Sequence, residues 1–335
     1  MTDLNLLLKH TARSLYLSAR LLPATVRDAF CISYLLCRYA DTIADTSLLP
    51  PADRMQYIHA FPSWVAKRQT HPLQTLTDKI SSATPYQYEE QLLRNFPLCL
   101  QAFDQLPAPQ QEAALQVVDA VCHGMEIDLQ TFPPENTGQV QAFSTVEDLE
   151  NYCHLMGGAP GVFWSQLIAL SVQLPIEKKS FLALGKDIGD ALQIVNILRD
   201  LPRDLRIGRC YFPQTDLQAN KLQATDLLQP ENAAQFEPIK QKWLAWGRHK
   251  LQAAHAYLQA LPKTQLRHRA AVAWPVLWAA DTLAKLEQEK NLLDPSVRVK
   301  IPRSRIYGTM AVTPVILASN KIFCKWLNAK LSVGK

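Results

Sequence analysis

Two pairs of aspartates, each separated by four positions, are the residues of this chain best suited to do chemistry. Asp41 and Asp45 lie in CRYADTIADT, and Asp200 and Asp204 lie in NILRDLPRDL. Side chains four positions apart share one face of a helix, so each pair presents two carboxylates to one point. Two such pairs facing each other would repel unless cations lay between them. Mg2+ takes carboxylate oxygens, waters and substrate phosphates as ligands, so the pairs predict an enzyme that handles diphosphates.

The second pair belongs to a longer stripe of oxygen-bearing side chains. Asn196 precedes Asp200 by four positions, and Gln193 lies one turn earlier. The arginines around this stripe offer donors to diphosphate oxygens or to the acids themselves, and they are Arg199, Arg203, Arg206 and Arg209. A surface helix with Asp–Arg pairs is the alternative for either motif alone. The apolar residues around Asn196 and before Asp41 favour a functional site.

The composition predicts that helices position these residues. Only 11 of the 335 residues are glycine, 48% are hydrophobic, and good helix formers dominate. Helical patterns cover about 6–21, 24–44, 176–203, 239–261 and 267–291, and Pro202 is expected to disturb the third of them. Segment 131–139 predicts a loop, and Thr145 with Asp148 predicts a capping box. Without a convincing linker, we expect one all-α domain over 1–335, with a core of about 10–305 and a tail of about 306–335.

Charge and cysteine usage exclude several classes of protein. The net charge is +5, and the basic residues gather only in the last forty or so positions, so we expect no nucleic-acid partner. The seven cysteines are odd in number and form no CxxC pair, which predicts reduced thiols rather than disulfides or a zinc site. No apolar run is long enough to span a bilayer. We therefore expect a cytoplasmic protein, with peripheral membrane contact left open.

The motifs together resemble those of the squalene and phytoene synthases, the head-to-head prenyl synthases. NILRDLPRDLRIGRCYFP is similar to the family's NILRDxxxDxxxGRxYxP signature, and CRYADTIADT is similar to its first aspartate-rich motif. NYCHLMGGAPG, GMEIDL and SLYLSARLLP resemble three further family segments. The resemblance covers about residues 10–305. It implies an all-α isoprenoid-synthase fold, a single helical bundle around a central cavity that holds two prenyl diphosphates.

Position by position, the resemblance implies a role for named residues. It implies two groups of Mg2+ ligands, Asp41 with Asp45, and Asn196 with Asp200 and Asp204. The residues expected to contact the substrate are Ser14, Arg38, Gln193, Arg199, Arg209 and Tyr211. Tyr152 matches the family tyrosine placed near the reacting carbons, and we expect it to act in catalysis together with the four aspartates.

Three features resemble squalene synthases more than phytoene synthases. Thr42 stands where phytoene synthases usually have a second aspartate, and segment 273–283 resembles a Pro-containing helix of squalene synthases. Segment 297–303 resembles their basic segment implicated with NADPH, so Lys300 and Arg303 are expected to bind this cofactor.

The expected reaction is the head-to-head condensation of two farnesyl diphosphates through presqualene diphosphate, with NADPH reduction to squalene. A non-reductive relative would make phytoene, dehydrosqualene or presqualene diphosphate instead. A hypothesis of another class is a non-catalytic prenyl-lipid-binding or scaffold protein. The mildly amphipathic stretch 314–331 either touches a membrane or packs on the fold, and the sequence leaves the oligomeric state open.

Overall fold

The structure, a computed structural model, describes residues 7–8, 13–46, 48–70, 74, 76–78, 87–135 and 137–332. Within these ranges the secondary structure is almost entirely helical, which confirms the predicted all-α class. The chain groups into two compact units, Met1–Leu129 with Phe163–Val172, and Gln130–Val162 with Gln173–Lys335. The single domain over 1–335 stays a prediction.

The helices of the first half of the chain are Arg13–Leu21 (α1), Ala24–Asp45 (α2), Pro51–Ala66 (α3), Gln87–Arg94 (α4), Phe96–Asp104 (α5), Ala108–Thr131 (α6), Val146–Cys153 (α7) and Ala159–Ala169 (α8). A π-helical turn, His154–Gly158, joins α7 to α8. The helices that follow are Lys178–Asp204 (α9), Gln214–Ala219 (α10), Ala233–Leu251 (α11), Ala253–Ala260 (α12), Leu266–Gln288 (α13), Arg303–Leu317 (α14) and Asn320–Leu331 (α15). Short 3-10 turns cover Leu205–Ile207, Ala224–Leu228 and Pro230–Asn232. Two strands of the described chain, Gln141–Ala142 (β1) and Arg209–Cys210 (β2), pair in parallel.

In the first unit, α2 packs against α1, α3, α4 and α5. Its Tyr39 is fully buried and stacks on two rings, with centroid distances of 5.7 Å to Phe61 and 4.2 Å to Phe96. The buried Arg54 of α3 donates from Nη1 to the carbonyl oxygen of Ala44 at 2.9 Å. A carbonyl at a helix end lacks its intrahelical partner, so this bond fixes the end of α2 that carries the first aspartate pair.

In the second unit, α9 contacts the turn His154–Gly158 and helices α11, α12 and α13. The contact with the turn is unusually close. A Cβ on Gly157 would lie 2.3 Å from the carbonyl oxygen of Gly189, and one on Gly161 would lie 2.1 Å from that of Gly185. Both positions must therefore be glycine for the two backbones to approach this far.

The C-terminal helices pack against α13. Trp274 donates from Nε1 to Thr313 Oγ1 of α14 at 2.7 Å, and Phe323 and Leu327 of α15 are fully buried. The described part of stretch 314–331 is therefore packed on the fold through these residues, and membrane contact stays an expectation. Among the described residues, none of the helices combines the length and the apolar character needed to cross a bilayer.

Several local predictions are confirmed and others are corrected. Thr145 and Asp148 form the predicted capping box, and all seven cysteines are free thiols. The single helix predicted over 239–261 is two helices, because α11 ends at Leu251 and α12 begins at Ala253. Helix α11 also begins earlier than predicted, at Ala233, so that Pro238 lies inside it. Pro238 is the sixth residue of α11, where it lacks the N–H that would bond to the Ala234 carbonyl oxygen, yet the helix continues to Leu251. Helix α9 continues through Pro202 to Asp204. Pro72 and Pro85 also predict turns between helices, and both lie outside the described residues.

Three histidines of the second unit have a lowered pKa because burial disfavours the charged imidazole, and they are His154, His255 and His268. His268 is 2% exposed, and its Nδ1 lies 3.1 Å from Gln265 Oε1. Its Nε2 is buried and has no hydrogen-bond partner among the described residues. Protonation would leave a buried N–H donor unpaired, so the folded state holds this ring neutral.

Substitution of Gly157 by alanine should destabilise the fold. The added methyl group meets the Gly189 carbonyl oxygen, and relieving that clash costs about 1–3 kcal/mol. Gly308→Ala is the matched control, because Gly308 lies in α14 with nothing within 4 Å of its Cβ. Alanine there should stabilise by about 0.5–1 kcal/mol. Urea unfolding measures both variants, and equal midpoints would contradict the packing described here.

Stability should fall when the pH drops below about 6.5, the pKa of histidine in an unfolded chain. A folded pKa below that value means that the unfolded chain binds more protons in this window. For each such histidine, the free energy of unfolding rises with pH by at most about 1.4 kcal/mol per pH unit. His268→Gln should reduce the slope of unfolding free energy against pH, and an unchanged slope would show that His268 is not among its sources.

Candidate active site

The first aspartate pair lies near the end of α2. Arg38 forms an ion pair with the carboxylate of Asp41, which is partly exposed, and Asp45 is exposed. Between them Thr42 is buried and donates from Oγ1 to the Arg38 carbonyl oxygen at 3.0 Å. The face of α2 with the acids is thus accessible, while the opposite face is in the core. Ser14 is in α1, but its side chain lies outside the described part of the chain.

The second group lies on one face of α9. Gln193, Asn196, Asp200 and Asp204 are all partly exposed, at positions that share a helical stripe. The intervening residues that fill the core side are Ile194, Val195, Ile197, Leu198 and Leu201. The hydrophobic positions therefore turn the oxygen-bearing stripe toward solvent. This placement agrees with the predicted stripe, and the Mg2+-binding role of its residues stays a prediction.

Arg199 binds its neighbour Asp200 through two hydrogen bonds. The distances are 2.9 Å from Nε to Oδ1 and 2.6 Å from Nη2 to Oδ2. This hydrogen bonding to Asp200 raises the pKa of Arg199 above its ordinary value. Because both side chains are more than a third exposed, the pair contributes little to stability. The Arg199–Asp200 pair can therefore be separated when a cation binds the carboxylate and an anion binds the guanidinium.

Two phenylalanine rings pack around the two predicted site tyrosines. Tyr152 and Tyr211 stack with centroids 4.8 Å apart, and the Tyr152 hydroxyl donates to that of Tyr211 at 3.3 Å. Phe132 and Phe143 pack on Tyr211 at 5.1 and 5.6 Å. All four are at most 7% exposed. The two phenylalanines were missed from the sequence, where no spacing connects them to Tyr211.

The short parallel strands place Arg209 and Tyr211. Gln141 N donates to the Gly208 carbonyl oxygen at 3.0 Å, and Phe143 N donates to that of Cys210 at 3.2 Å. Gly208 has a φ of +86°, and a Cβ there would lie 2.7 Å from the Gln139 carbonyl oxygen. Only glycine combines this left-handed backbone with the close approach, so it directs the chain from the acidic stripe to Tyr211.

A charge cluster that the sequence did not reveal is centred on the buried Asp190, three positions before Gln193 on α9. Asp190 is 1% exposed and accepts from Lys186 Nζ at 2.8 Å, with Lys250 Nζ of α11 at 3.2 Å. Lys250 also binds Asp187 at 2.6 Å. Burial lowers the pKa of Lys250, but its bonds to Asp187 and Asp190 outweigh this and raise it. In sequence, Lys186 and Asp190 read as an ordinary surface pair at i and i+4.

The predicted cofactor residues lie at the start of α14. Lys300 and Arg303 are both exposed, and Arg303 is the first residue of the helix. Lys285 Nζ donates to the Lys300 carbonyl oxygen at 2.7 Å, which holds the preceding segment against α13. Two exposed cations at a helix N-terminus suit a phosphate group, so these residues fit the predicted role.

The acids fit Mg2+ in the form in which proteins usually bind it. Among the described residues, no group of three or more His, Cys, Asp or Glu side chains converges to hold a metal by itself. Mg2+ is ordinarily bound through one or two carboxylates and completed by water and substrate phosphates. Carboxylate pairs on the accessible faces of α2 and α9, each with an arginine beside it, match that requirement.

Comparison with known proteins gives the family. The squalene/phytoene synthase model matches residues 8–305. A bifunctional lycopene cyclase/phytoene synthase of Pyrenophora tritici-repentis is 30% identical over 76% of this chain and 41% of its own length. A squalene synthase of Schizosaccharomyces pombe is 24% identical over 88% of this chain and 61% of its own length. The solved complex of TcSQS with the ligand BPH1237 has a TM-score of 0.81 at 19% identity, covering all of this chain and 93% of that one.

The chain therefore belongs to the squalene/phytoene synthase family. Its fold is the all-α isoprenoid-synthase fold of the structural neighbours, as predicted. The family consists of transferases of isoprenoid biosynthesis whose prenyl transfer is generally metal-dependent. The chain spans about two fifths of the bifunctional relative and less than two thirds of the yeast one.

Substitution of Gly208 by alanine should disturb the tyrosine pair. The methyl group is strained by the positive φ and also meets the Gln139 carbonyl oxygen and Pro133 Cγ. Gly138→Ala is the matched control, because Gly138 has a φ of +71° with nothing within 4 Å of its Cβ. The control should cost only the backbone strain, about 1–3 kcal/mol. Gly208→Ala should cost more and also alter the near-ultraviolet circular dichroism of the tyrosines; identical effects would contradict the account.

Proposed function

We propose that this protein is a Mg2+-dependent head-to-head prenyl synthase that joins two farnesyl diphosphates through presqualene diphosphate and reduces the product to squalene with NADPH. The observation that carries the proposal is the stripe on α9. Its four oxygen-bearing side chains are partly exposed while their neighbours are buried. A stripe with no functional role would not need amide and carboxylate oxygens at every turn of one face.

Each aspartate group would hold Mg2+ for one diphosphate: Asp41 with Asp45, and Asn196 with Asp200 and Asp204. When bound, Mg2+ neutralises the charge that develops on the departing diphosphate. The chain's own arginines complete this role. Arg38 and Arg199 now bind Asp41 and Asp200, and they would exchange these carboxylates for diphosphate oxygens. Guanidinium groups suit such oxygens because they donate two parallel hydrogen bonds.

The tyrosine pair would serve the carbon chemistry. Tyr152 and Tyr211 are buried and stacked, so they offer aromatic faces from which water is excluded. Such faces stabilise a carbocation, and exclusion of water protects it from capture. The proton lost when the two chains join would pass to the Tyr152 hydroxyl or to the released diphosphate. Gln193 and Arg209 would complete the binding of the substrate beside this pair.

Lys300 and Arg303 would bind the phosphate groups of NADPH. Both are exposed, and Arg303 opens α14, where the helix dipole adds to the positive charge. When bound, NADPH supplies the hydride that distinguishes squalene from the non-reduced products. The expectation of a cytoplasmic protein agrees with this soluble cofactor and stays part of the proposal.

A non-reductive product is the second candidate, and one observation favours it. The identity to the lycopene cyclase/phytoene synthase, 30%, exceeds the 24% to the yeast squalene synthase. The product would then be phytoene, dehydrosqualene or presqualene diphosphate. A non-catalytic prenyl-lipid-binding or scaffold protein is the candidate of another class, and it requires no turnover at all.

The purified protein should convert farnesyl diphosphate to squalene only when Mg2+ and NADPH are both present, as measured by gas chromatography–mass spectrometry. Asp41→Asn and Asp200→Asn should each lower turnover by roughly 100-fold, since each removes charge stabilisation of the leaving group. Asp28→Asn is the matched control, because Asp28 lies on α2 with a side chain 43% exposed, and its turnover should be unchanged.

Other results of this assay divide the alternatives. Dehydrosqualene or presqualene alcohol with and without NADPH would identify a non-reductive enzyme. Product from geranylgeranyl diphosphate alone would identify a phytoene synthase. No product from either substrate would contradict an enzymatic function and leave the binding or scaffold protein.

A further inference from the structure

A cavity of about 880 Å3 lies in the second unit, beside the predicted cofactor residues, because Ile301 and Pro302 line it between Lys300 and Arg303. None of its lining residues belongs to the acidic stripe. Helices α13, α14 and α15 and the segment before α14 form its walls. The lining residues are Asp281, Ala284, Lys285, Gln288, Ile301, Pro302, Arg305, Ile322, Lys325, Trp326, Ala329 and Lys330. Its volume is in the range of small-molecule sites, about 300–1,000 Å3.

The charge of this cavity is strongly unbalanced. Four of its lining residues are basic, and Asp281 is the one acid among them. Both oxygens of Asp281 accept from Arg305 at 3.1 Å, and Lys330 pairs with the same carboxylate. Asp281 and Lys330 are each at most 9% exposed. The single carboxylate is thus already shared by two cations, while the exposed Lys285 and Lys325 add further positive charge at the wall.

The C-terminal part of the chain adds basic residues and no acid. No Asp or Glu follows Asp294, although eight of the 35 basic residues do. The first turn of α14 also reaches the cavity through Pro302 and Arg305. A helix N-terminus carries partial positive charge and favours anions such as phosphate.

Part of the wall is apolar. Ile301, Pro302 and Ile322 line it together with Trp326, whose side chain is 37% exposed. An exposed indole beside basic residues suits a ligand with one anionic and one apolar part. A small inorganic anion would leave this apolar wall uncovered.

We propose that this cavity is a binding site for a phosphate group carried on an apolar body, held by Lys285, Arg305, Lys325 and Lys330 with Trp326 against the apolar part. The ligand is either a phospholipid in a bilayer or a free phosphate ester. The site is separate from the acidic stripe, so the inference does not depend on the proposed condensation reaction.

The test compares the full-length protein with two double variants that remove the same charge. Lys285→Gln with Lys325→Gln alters the cavity wall, whereas Lys263→Gln with Lys321→Gln alters exposed lysines that do not line it. Vesicles of phosphatidylglycerol, with phosphatidylcholine as reference, probe the bilayer source by cosedimentation. Phenyl phosphate probes the free source by isothermal titration calorimetry. Far-ultraviolet circular dichroism confirms that each variant is folded.

The cavity variant should bind phosphatidylglycerol vesicles or phenyl phosphate roughly 30-fold more weakly than the unaltered protein, while the control variant changes by less than about threefold. If the cavity variant loses binding to vesicles alone, the ligand is a phospholipid in a bilayer. If it loses binding to phenyl phosphate, the ligand is a free phosphate ester. No binding to either probe, or equal loss in both variants, would overturn the proposal. Asp200→Asn should bind both probes normally, which separates this result from that of the condensation assay.

Discussion

The close approach of α9 to the turn His154–Gly158 is the constraint on which the second unit depends. A Cβ on Gly157 would lie 2.7 Å from that of Gln193. The contact that brings the two backbones together therefore also fixes the position of Gln193, the first residue of the stripe. The turn follows directly on the helix of Tyr152, so the tyrosine and the stripe are placed by one interface. Asp190 reinforces it from the buried side, where Lys186 and Lys250 neutralise its charge.

Burial decides which ion pairs of this chain are permanent. The pairs Arg38–Asp41 and Arg199–Asp200 each leave roughly a third of both side chains exposed, and exposed pairs contribute only about 0–1 kcal/mol. They can therefore exchange partners with metal and diphosphate. Asp190, Asp281 and Lys330 are nearly fully buried, whereas Lys186 and Lys250 keep 36% and 22% of their side chains exposed. Removing the partner of a buried charge costs about 3–5 kcal/mol. The partly exposed pairs suit a site that binds substrate, and the pairs with a buried carboxylate suit the packing of the helices that support the site.

Sequence reasoning succeeded where one helix or one local motif contained the whole pattern. The all-α class, the capping box at Thr145 and the stripe from Gln193 to Asp204 are of this kind, since helical periodicity alone determines them. The signature that begins at Asn196 also led to the right family.

The sequence did not reveal contacts between distant segments. Phe132 and Phe143 reach Tyr211 through loops and a two-residue strand pair, which carry no periodicity.

Electrostatic partners on different helices were equally hidden. Lys250 joins Asp190 from a helix some sixty positions later, and Lys330 joins Asp281. The start of α11 was misjudged because Pro238 was taken as a boundary, although the helix begins five residues earlier, at Ala233. The prediction of a single domain depends on packing between segments in the same way, and spacing does not determine it.

If each aspartate group forms its own site for Mg2+ and diphosphate, isothermal titration calorimetry with inorganic diphosphate should show two binding events per chain, both dependent on Mg2+. Asp41→Asn should remove one event, and Asp200→Asn should remove the other. Binding that persists without Mg2+, or that is unchanged in both variants, would contradict the account.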